Sequence, residues 1–168
     1  RIASNLTNPA HYTHAMVVLC LMKGIPCLYY GDEFGMEGRP EDGTDEHSGG
    51  DDAMRRPMLD CAKPATWPAV GMSRLALNKK LIAMRKNYPV FGSAGSQDIR
   101  DMWLNKDTRE QFIVVRYTED EVAALVFNCG DYHVDPWPEV VIPASAPMKV
   151  GDKMVDLLSP TGTSFVVH

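Results

Sequence analysis

The pattern of apolar and polar residues predicts helices and one buried strand in the first half of the chain. Residues 8–23 have the pattern of a helix, since Asn8 can cap its first turn and Gly24 suits the position after its last turn. Apolar residues lie on nearly all sides of this helix, which indicates burial on more than one side. Residues 25–30 form a short, continuously apolar run, which is typical of a parallel strand covered on both faces.

A long segment without a sustained period follows the predicted strand, at residues 37–72. It is rich in glycine, proline and acidic residues, and we interpret it as an irregular loop, because clusters of such residues interrupt regular structure. Loops of this length within compact domains usually serve a function or are disordered. A second helix is predicted from Ser73 and ends before Tyr88, because Pro89 disfavours helical backbone at the residue before it.

Beyond Gly92 the pattern changes to a period of two or to short apolar runs between turn residues. Many short strands without helices predict an antiparallel β-sandwich. The predicted strands are residues 99–104, 111–118, 122–128, 139–142, 148–150, 154–158 and 164–167. We therefore expect two domains, residues 1–92 and residues 93–168.

The composition is that of an ordinary globular protein, with 45% hydrophobic and 23% charged residues. The chain has 168 residues, fewer than the ~250 of a complete eight-stranded α/β barrel. Its net charge of -5 comes from residues 37–53, which hold seven acidic residues and one arginine. Because there is no basic stripe, we expect no nucleic-acid partner, and a neutral sugar is compatible. No apolar run of ~20 residues predicts a membrane span.

No metal site or cofactor is predicted from the sequence. The four cysteines lack the CxxC spacing of zinc or redox sites, so we expect buried thiols. The acidic segment lacks the D-x-[DN]-x-[DN]-G spacing of a helix-loop-helix calcium site and is interpreted as a solvated loop.

Three blocks of sequence resemble the α-amylase family of glycoside hydrolases. Residues 24–36 (GIPCLYYGDEFGM) are similar to the eighth strand of the family's barrel and the turn after it. Residues 51–58 (DDAMRRPM) are similar to a loop that carries Asp, then Arg four residues later, then Pro-Met. Residues 81–92 (LIAMRKNYPVFG) are similar to the last barrel helix. The resemblance implies the terminal helix–strand–helix fragment of a (β/α)8 barrel, followed by an antiparallel β-sandwich.

The resemblance also implies cleavage or transfer of α-glucosidic bonds with retention, by one carboxylate nucleophile and one carboxyl acid/base. In the family these groups lie on earlier barrel strands, which the resemblance places before Arg1. We therefore expect this chain to be inactive alone on α-glucans and to supply barrel closure and part of the substrate groove. The expected partners are an α-glucan or oligosaccharide and the N-terminal part of the barrel, with association through the strand at residues 25–30.

The candidate substrate-binding residues are Asp51, Arg55 and Tyr30. The resemblance places Asp51 and Arg55 beside the donor sugars, although a surface ion pair without a ligand is an alternative. One ring of the pair Tyr29 and Tyr30 can stack on a sugar, because successive side chains of a strand point to opposite faces. Glu33 is interpreted as a support for its turn rather than as an acid.

Two other functions remain open at this point. One is a non-catalytic relative of these enzymes, such as the heavy subunits of amino-acid transporters. The other is a carbohydrate-binding module built on the β-sandwich, with Trp103 or Trp137 as its sugar platform.

Overall fold

A computed structural model describes residues 1–39, 43, 51–60, 62–92, 103–104, 111–130, 140–159 and 161–167. The chain forms two compact units, Arg1–Ser93 and Ala94–His168, whereas the sequence places the boundary between residues 92 and 93. The helices of the first unit are α1 (His11–Leu21), α2 (Asp51–Met54) and α3 (Gly71–Asn87). The strands of the second unit are β1 (Trp103–Leu104), β2 (Gln111–Tyr117), β3 (Val122–Asn128), β4 (Lys153–Val155) and β5 (Ser164–Val166). None of the helices in these ranges is long and apolar enough to cross a membrane.

The core of the first unit lies where α1 packs against α3. Met16, Cys20 and Leu21 of α1 are buried, and so are Leu81 and Met84 of α3. Both helices were predicted from their apolar spacing, and burial of these side chains stabilises them more than helix propensity does.

The ends of the helices follow local signals only in part, since α1 is shorter than the predicted residues 8–23 and α3 begins at Gly71 rather than Ser73. The side-chain oxygen of Asn8 accepts a hydrogen bond from the backbone N–H of Ala10 at 2.9 Å, in the turn that leads into α1. The last helical residue of α3 is Asn87, so the helix ends before Tyr88 as predicted. These signals act within a few residues, which is why the sequence located both helices.

The prediction of a buried parallel strand at residues 25–30 is wrong. Residues 25–29 have no regular structure, and Ile25 is 92% exposed. A parallel strand is completed by hydrogen bonds to its neighbours. Among the described residues every strand pair is antiparallel and lies in the second unit. The first unit is therefore not the helix–strand–helix fragment of a (β/α)8 barrel.

The main sheet of the second unit is antiparallel, in the order β1-β2-β3. β2 and β3 pair over seven residues, from Gln111 opposite Asn128 to Tyr117 opposite Val122. The sheet buries Ile113, Val114, Val115, Leu125 and Phe127. β1 pairs with β2 through two residues only, and residues 99–102 of the predicted first strand lie outside the described residues.

The prediction of a β-sandwich is also wrong. β4 and β5 form a separate two-stranded sheet, in which Val155 and Phe165 are more than half exposed. A sandwich requires two sheets that bury their inner faces against each other. Residues 140–142 and 148–150 were predicted as strands but are irregular, and Val150 is 80% exposed. The chain thus combines helices with small antiparallel sheets.

Candidate functional site

A cavity of about 470 Å³ lies in the first unit. This volume falls within the roughly 300–1,000 Å³ of small-molecule sites. Two carboxylate and two guanidinium residues line it, so their formal charges cancel. The lining residues are Arg1, Ile2, Asn5, Tyr29, Asp32, Asp51, Met54 and Arg55.

The short helix α2 brings Asp51 and Arg55 to the cavity as an ion pair. Nη2 of Arg55 lies 2.6 Å from Oδ2 of Asp51, and the two side chains are 68% and 33% exposed. An exposed pair of this kind contributes only about 0–1 kcal/mol to stability. The carboxylate of Asp51 and the guanidinium of Arg55 can therefore form hydrogen bonds to a ligand with little loss of stability.

Gly38 and Arg39 connect Ser4, near the N-terminus, to α2. The backbone N–H of Gly38 donates to the hydroxyl of Ser4 at 2.7 Å, and Nη2 of Arg39 donates to the carbonyl of Ser4 at 2.5 Å. Gly38 also lies directly against the backbone of Ala53 in α2. Close approach of these backbones fixes the helix that carries Asp51.

A tight turn at Gly31–Gly35 places Asp32 at the cavity. Gly31 and Gly35 have φ angles of 89° and 75°, in the left-handed region that favours glycine. The carboxylate of Glu33 accepts a hydrogen bond from the backbone N–H of Gly31 at 2.7 Å. Glu33 therefore supports the turn in this geometry.

Side chains from α1 and α3 hold the same turn from inside the unit. The hydroxyl of Tyr12 donates to the carbonyl of Asp32 at 2.5 Å. Nδ2 of Asn78 donates to the hydroxyl of Tyr12 at 2.8 Å and to the carbonyl of Glu33 at 3.2 Å. Tyr12 and Asn78 are both buried, and burial raises the pKa of the Tyr12 hydroxyl. The position of Asp32 is thus tied to the core.

The guanidinium of Arg1 lies between two tyrosine rings. Its central carbon is 4.5 Å from the ring centroid of Tyr29 and 4.6 Å from that of Tyr30. The hydroxyl of Tyr30 donates to the carbonyl of Arg56 at 2.9 Å. Both rings face one guanidinium because residues 25–29 do not form a strand. Tyr29 lines the cavity, whereas the predicted contact residue Tyr30 is not among the lining residues.

Arg1 and Asp32 form a buried pair of opposite charges at the cavity. Nη1 of Arg1 lies 3.9 Å from Oδ1 of Asp32, which is too long for a hydrogen bond, and the side chains are 0% and 5% exposed. Burial raises the pKa of Asp32 above its ordinary value, although the Arg1 guanidinium acts in the opposite direction.

Stability should depend on pH through Asp32. Its raised pKa means that the folded chain binds this proton more tightly than the unfolded chain does. The stabilisation is present below the ordinary value of 3.8 and is lost as the pH rises through the folded-state pKa. Asp32→Asn should remove this part of the pH dependence, measured by urea unfolding between about pH 3.5 and 7. Asp60→Asn controls for the loss of one exposed carboxylate. If the free energy of unfolding of Asp32→Asn changes with pH as steeply as that of the unmodified chain, the prediction is contradicted.

Other residues considered from the sequence have different positions. Trp67 packs against Phe34 and donates its Nε1–H to the carbonyl of Asp60, which is a structural role. The side chain of Trp103 and the whole of Trp137 lie outside the described residues. Within the described ranges, no group of three or more His, Cys, Asp or Glu residues could hold a metal ion.

Sequence reasoning did not propose Arg1 or Asp32 as cavity residues, and of the pair Tyr29 and Tyr30 it chose Tyr30 rather than Tyr29. A signal for Asp32 was present, since it lies between Gly31 and Gly35 in an acidic turn. The sequence-based interpretation of this turn considered only Glu33. The contacts of Arg1 carried no local signal, because they join it to residues about thirty positions away. No protein-family model, curated protein or solved structure matches the chain, so the interpretation of the site depends on its sequence pattern and geometry.

Proposed function

We propose that the chain contributes substrate-binding side chains to a retaining glycoside hydrolase or glucanotransferase that acts on α-glucans or small α-glucosides. The observation that carries this proposal is that Asp51 and Arg55 line one cavity with Tyr29. Asp51 and Arg55 are the residues that the resemblance to the α-amylase family singles out. The expected contribution to barrel closure is not part of the proposal, because residues 25–29 form no barrel strand.

The chemistry of the cavity suits a neutral sugar. Asp51 can accept hydrogen bonds from hydroxyl groups, and Arg55 can donate to them. Tyr29 is 43% exposed and offers an apolar ring with a polar end, as tyrosines at binding surfaces commonly do. The charges of the four acidic and basic side chains that line the cavity cancel.

The proposal assigns binding rather than bond cleavage to these residues. A retaining enzyme needs one carboxylate as nucleophile and another carboxyl group as acid and base. Asp51 is paired with Arg55, and Asp32 is buried beside Arg1, so neither is assigned these roles. We expect the chain alone not to release nitrophenol from a nitrophenyl maltoside, and clear turnover would contradict this assignment.

Binding of maltoheptaose should depend on the Asp51–Arg55 pair. Asp51→Asn and Arg55→Gln should each weaken binding about tenfold, since each removes a charge-assisted hydrogen bond to the sugar, worth ~1.4 kcal/mol at that ratio. Isothermal titration calorimetry of the full chain measures the dissociation constants.

The pair formed by Asp60 and Lys63 provides a matched control. It is also an exposed ion pair, between residues three apart, with an N–O distance of 3.3 Å, and neither residue lines the cavity. Asp60→Asn and Lys63→Gln should leave maltoheptaose binding unchanged. Absence of saturable binding by the unmodified chain would overturn the proposal. Binding lost in Trp103→Ala but retained in Asp51→Asn would favour a carbohydrate-binding module instead.

A further inference from the structure

We infer that a hydroxyl group of the bound sugar bridges Arg1 and Asp32 beneath Tyr29, and that this bridge selects neutral sugars over charged ones. The inference rests on the proposed function, because it assumes a sugar in the same cavity. It adds Arg1 and Asp32 to the substrate-binding residues.

The first observation is a set of buried polar atoms without partners. Nε and Nη2 of Arg1 and Oδ1 of Asp32 are buried and make no hydrogen bond in the part of the chain that the structure describes. Most buried polar atoms in proteins are hydrogen-bonded, since an unpaired one loses its interactions with water. Both residues line the cavity. Oδ1 of Asp32 is the unpartnered atom that lies across a gap from Nη1 of Arg1, so a ligand hydroxyl placed in that gap would give it a partner.

The second observation is the distance between the two charged groups. Nη1 of Arg1 donates one hydrogen bond to the carbonyl of Tyr30 and lies 3.9 Å from Oδ1 of Asp32, so its second N–H does not bond the carboxylate directly. One oxygen atom with hydrogen bonds of about 2.8 Å to each group can span this gap. A hydroxyl group can accept from the guanidinium and donate to the carboxylate at the same time.

The charges around this gap exclude other ligand groups. A phosphate or carboxylate would accept from Arg1 but would be repelled by Asp32 and Asp51. An ammonium group would meet the guanidinium groups of Arg1 and Arg55. A hydroxyl group can contact Nη1 of Arg1 and Oδ1 of Asp32 together without a net charge, which fits a neutral glucoside.

Tyr29 controls access to the pair. Its ring covers the Arg1 guanidinium, whose side chain is fully buried, so the ligand reaches Arg1 when this ring moves aside. Within the described residues the hydroxyl of Tyr29 makes no hydrogen bond, whereas the hydroxyl of Tyr30 is bonded to the carbonyl of Arg56. Tyr29 is therefore the less constrained of the two rings.

The first test follows the Nε–H resonance of Arg1 by ¹⁵N nuclear magnetic resonance while maltoheptaose is added to the full chain. The bridge predicts a shift of this resonance that saturates with the dissociation constant found by calorimetry. The Nε–H resonance of Arg85, which does not line the cavity, serves as the control and should not move. An unchanged Arg1 resonance during saturable binding would overturn the inference.

The second test measures selectivity with methyl α-glucoside and glucose 6-phosphate as probes. The unmodified chain should bind the neutral glucoside at least tenfold more tightly than the phosphate. Asp32→Asn keeps the size of the side chain but removes its charge, so this ratio should fall about tenfold. Circular dichroism measures whether the Asp32→Asn variant is folded. If this variant does not fold, the Nε–H resonance of Arg1 in the unmodified chain decides whether the bridge forms.

The outcomes separate this inference from the proposed function. If Arg55→Gln weakens sugar binding while Asp32→Asn keeps the selectivity ratio and the Arg1 resonance stays fixed, the bridge is wrong and the proposed function stands. If no sugar binds to the unmodified chain, both are wrong.

Discussion

Gly38→Ala should lower the free energy of unfolding by about 2–3 kcal/mol and weaken sugar binding in the cavity. A Cβ atom at Gly38 would overlap the carbonyl oxygen of Ala53 and would lie 3.0 Å from its carbonyl carbon and 3.3 Å from Cα of Met54. These atoms belong to the backbone of α2, so rotation of a side chain cannot relieve the overlap. The helix must shift, and Asp51 and Arg55 then move with it.

Urea unfolding measures the loss of stability, and titration with maltoheptaose measures the loss of binding. Gly24→Ala is the matched control, because a Cβ atom there meets no atom within 4 Å while the φ angle is 130°. It should cost about 1 kcal/mol through backbone strain alone and leave binding unchanged. A Gly38→Ala chain as stable as the unmodified one would show that the two backbones are not in tight contact.

The helices of this chain could be predicted from the sequence because their signals are local. The apolar spacing of α1 and α3 and the effect of Pro89 on Tyr88 act within one or two helical turns. The central strands β2 and β3 were also located closely, since each contains a continuous apolar run, at residues 112–115 and 122–127.

The predictions that failed were those that depend on distant partners. The apolar run at residues 25–30 has the composition of a buried strand, but it becomes one only if other strands pair with it. In the described structure Ile25 is 92% exposed and the segment is irregular. The sandwich failed for the same reason, because β4 and β5 pair with each other and leave Phe165 exposed.

In the candidate site, too, contacts between residues close in sequence could be predicted, and contacts between distant residues could not. Asp51 and Arg55 are four residues apart, so one turn of helix brings them together. The sequence singled them out through the resemblance of residues 51–58 to a family loop, although it predicted no helix there. Arg1 and Asp32 meet only because the turn at Gly31–Gly35 is held by Tyr12 and the core. Nothing in the spacing of these two residues predicts their contact.

Arg85→Ala should lower the free energy of unfolding by about 2–4 kcal/mol. Arg85 lies on α3, and Nη1 of its side chain donates to the carbonyls of Cys20 at 2.7 Å and Met22 at 3.1 Å, while Nη2 donates to the carbonyl of Gly24. The last carbonyls of a helix have no partner within the helix, and a cation at this end also interacts favourably with the helix dipole. One side chain thus closes the end of α1 and joins it to α3.

The geometry of Arg85 makes the prediction specific to a guanidinium. Arg85→Lys keeps the charge but presents one ammonium group in place of two separate nitrogens, so it should recover less than half of the lost stability. Lys86→Ala is the control, because Lys86 is the exposed neighbour on the same helix and should change stability by less than about 0.5 kcal/mol. Urea unfolding at constant pH compares the three variants. Equal stability of Arg85→Lys and the unmodified chain would mean that charge at the end of α1, rather than the fork of hydrogen bonds, joins the two helices.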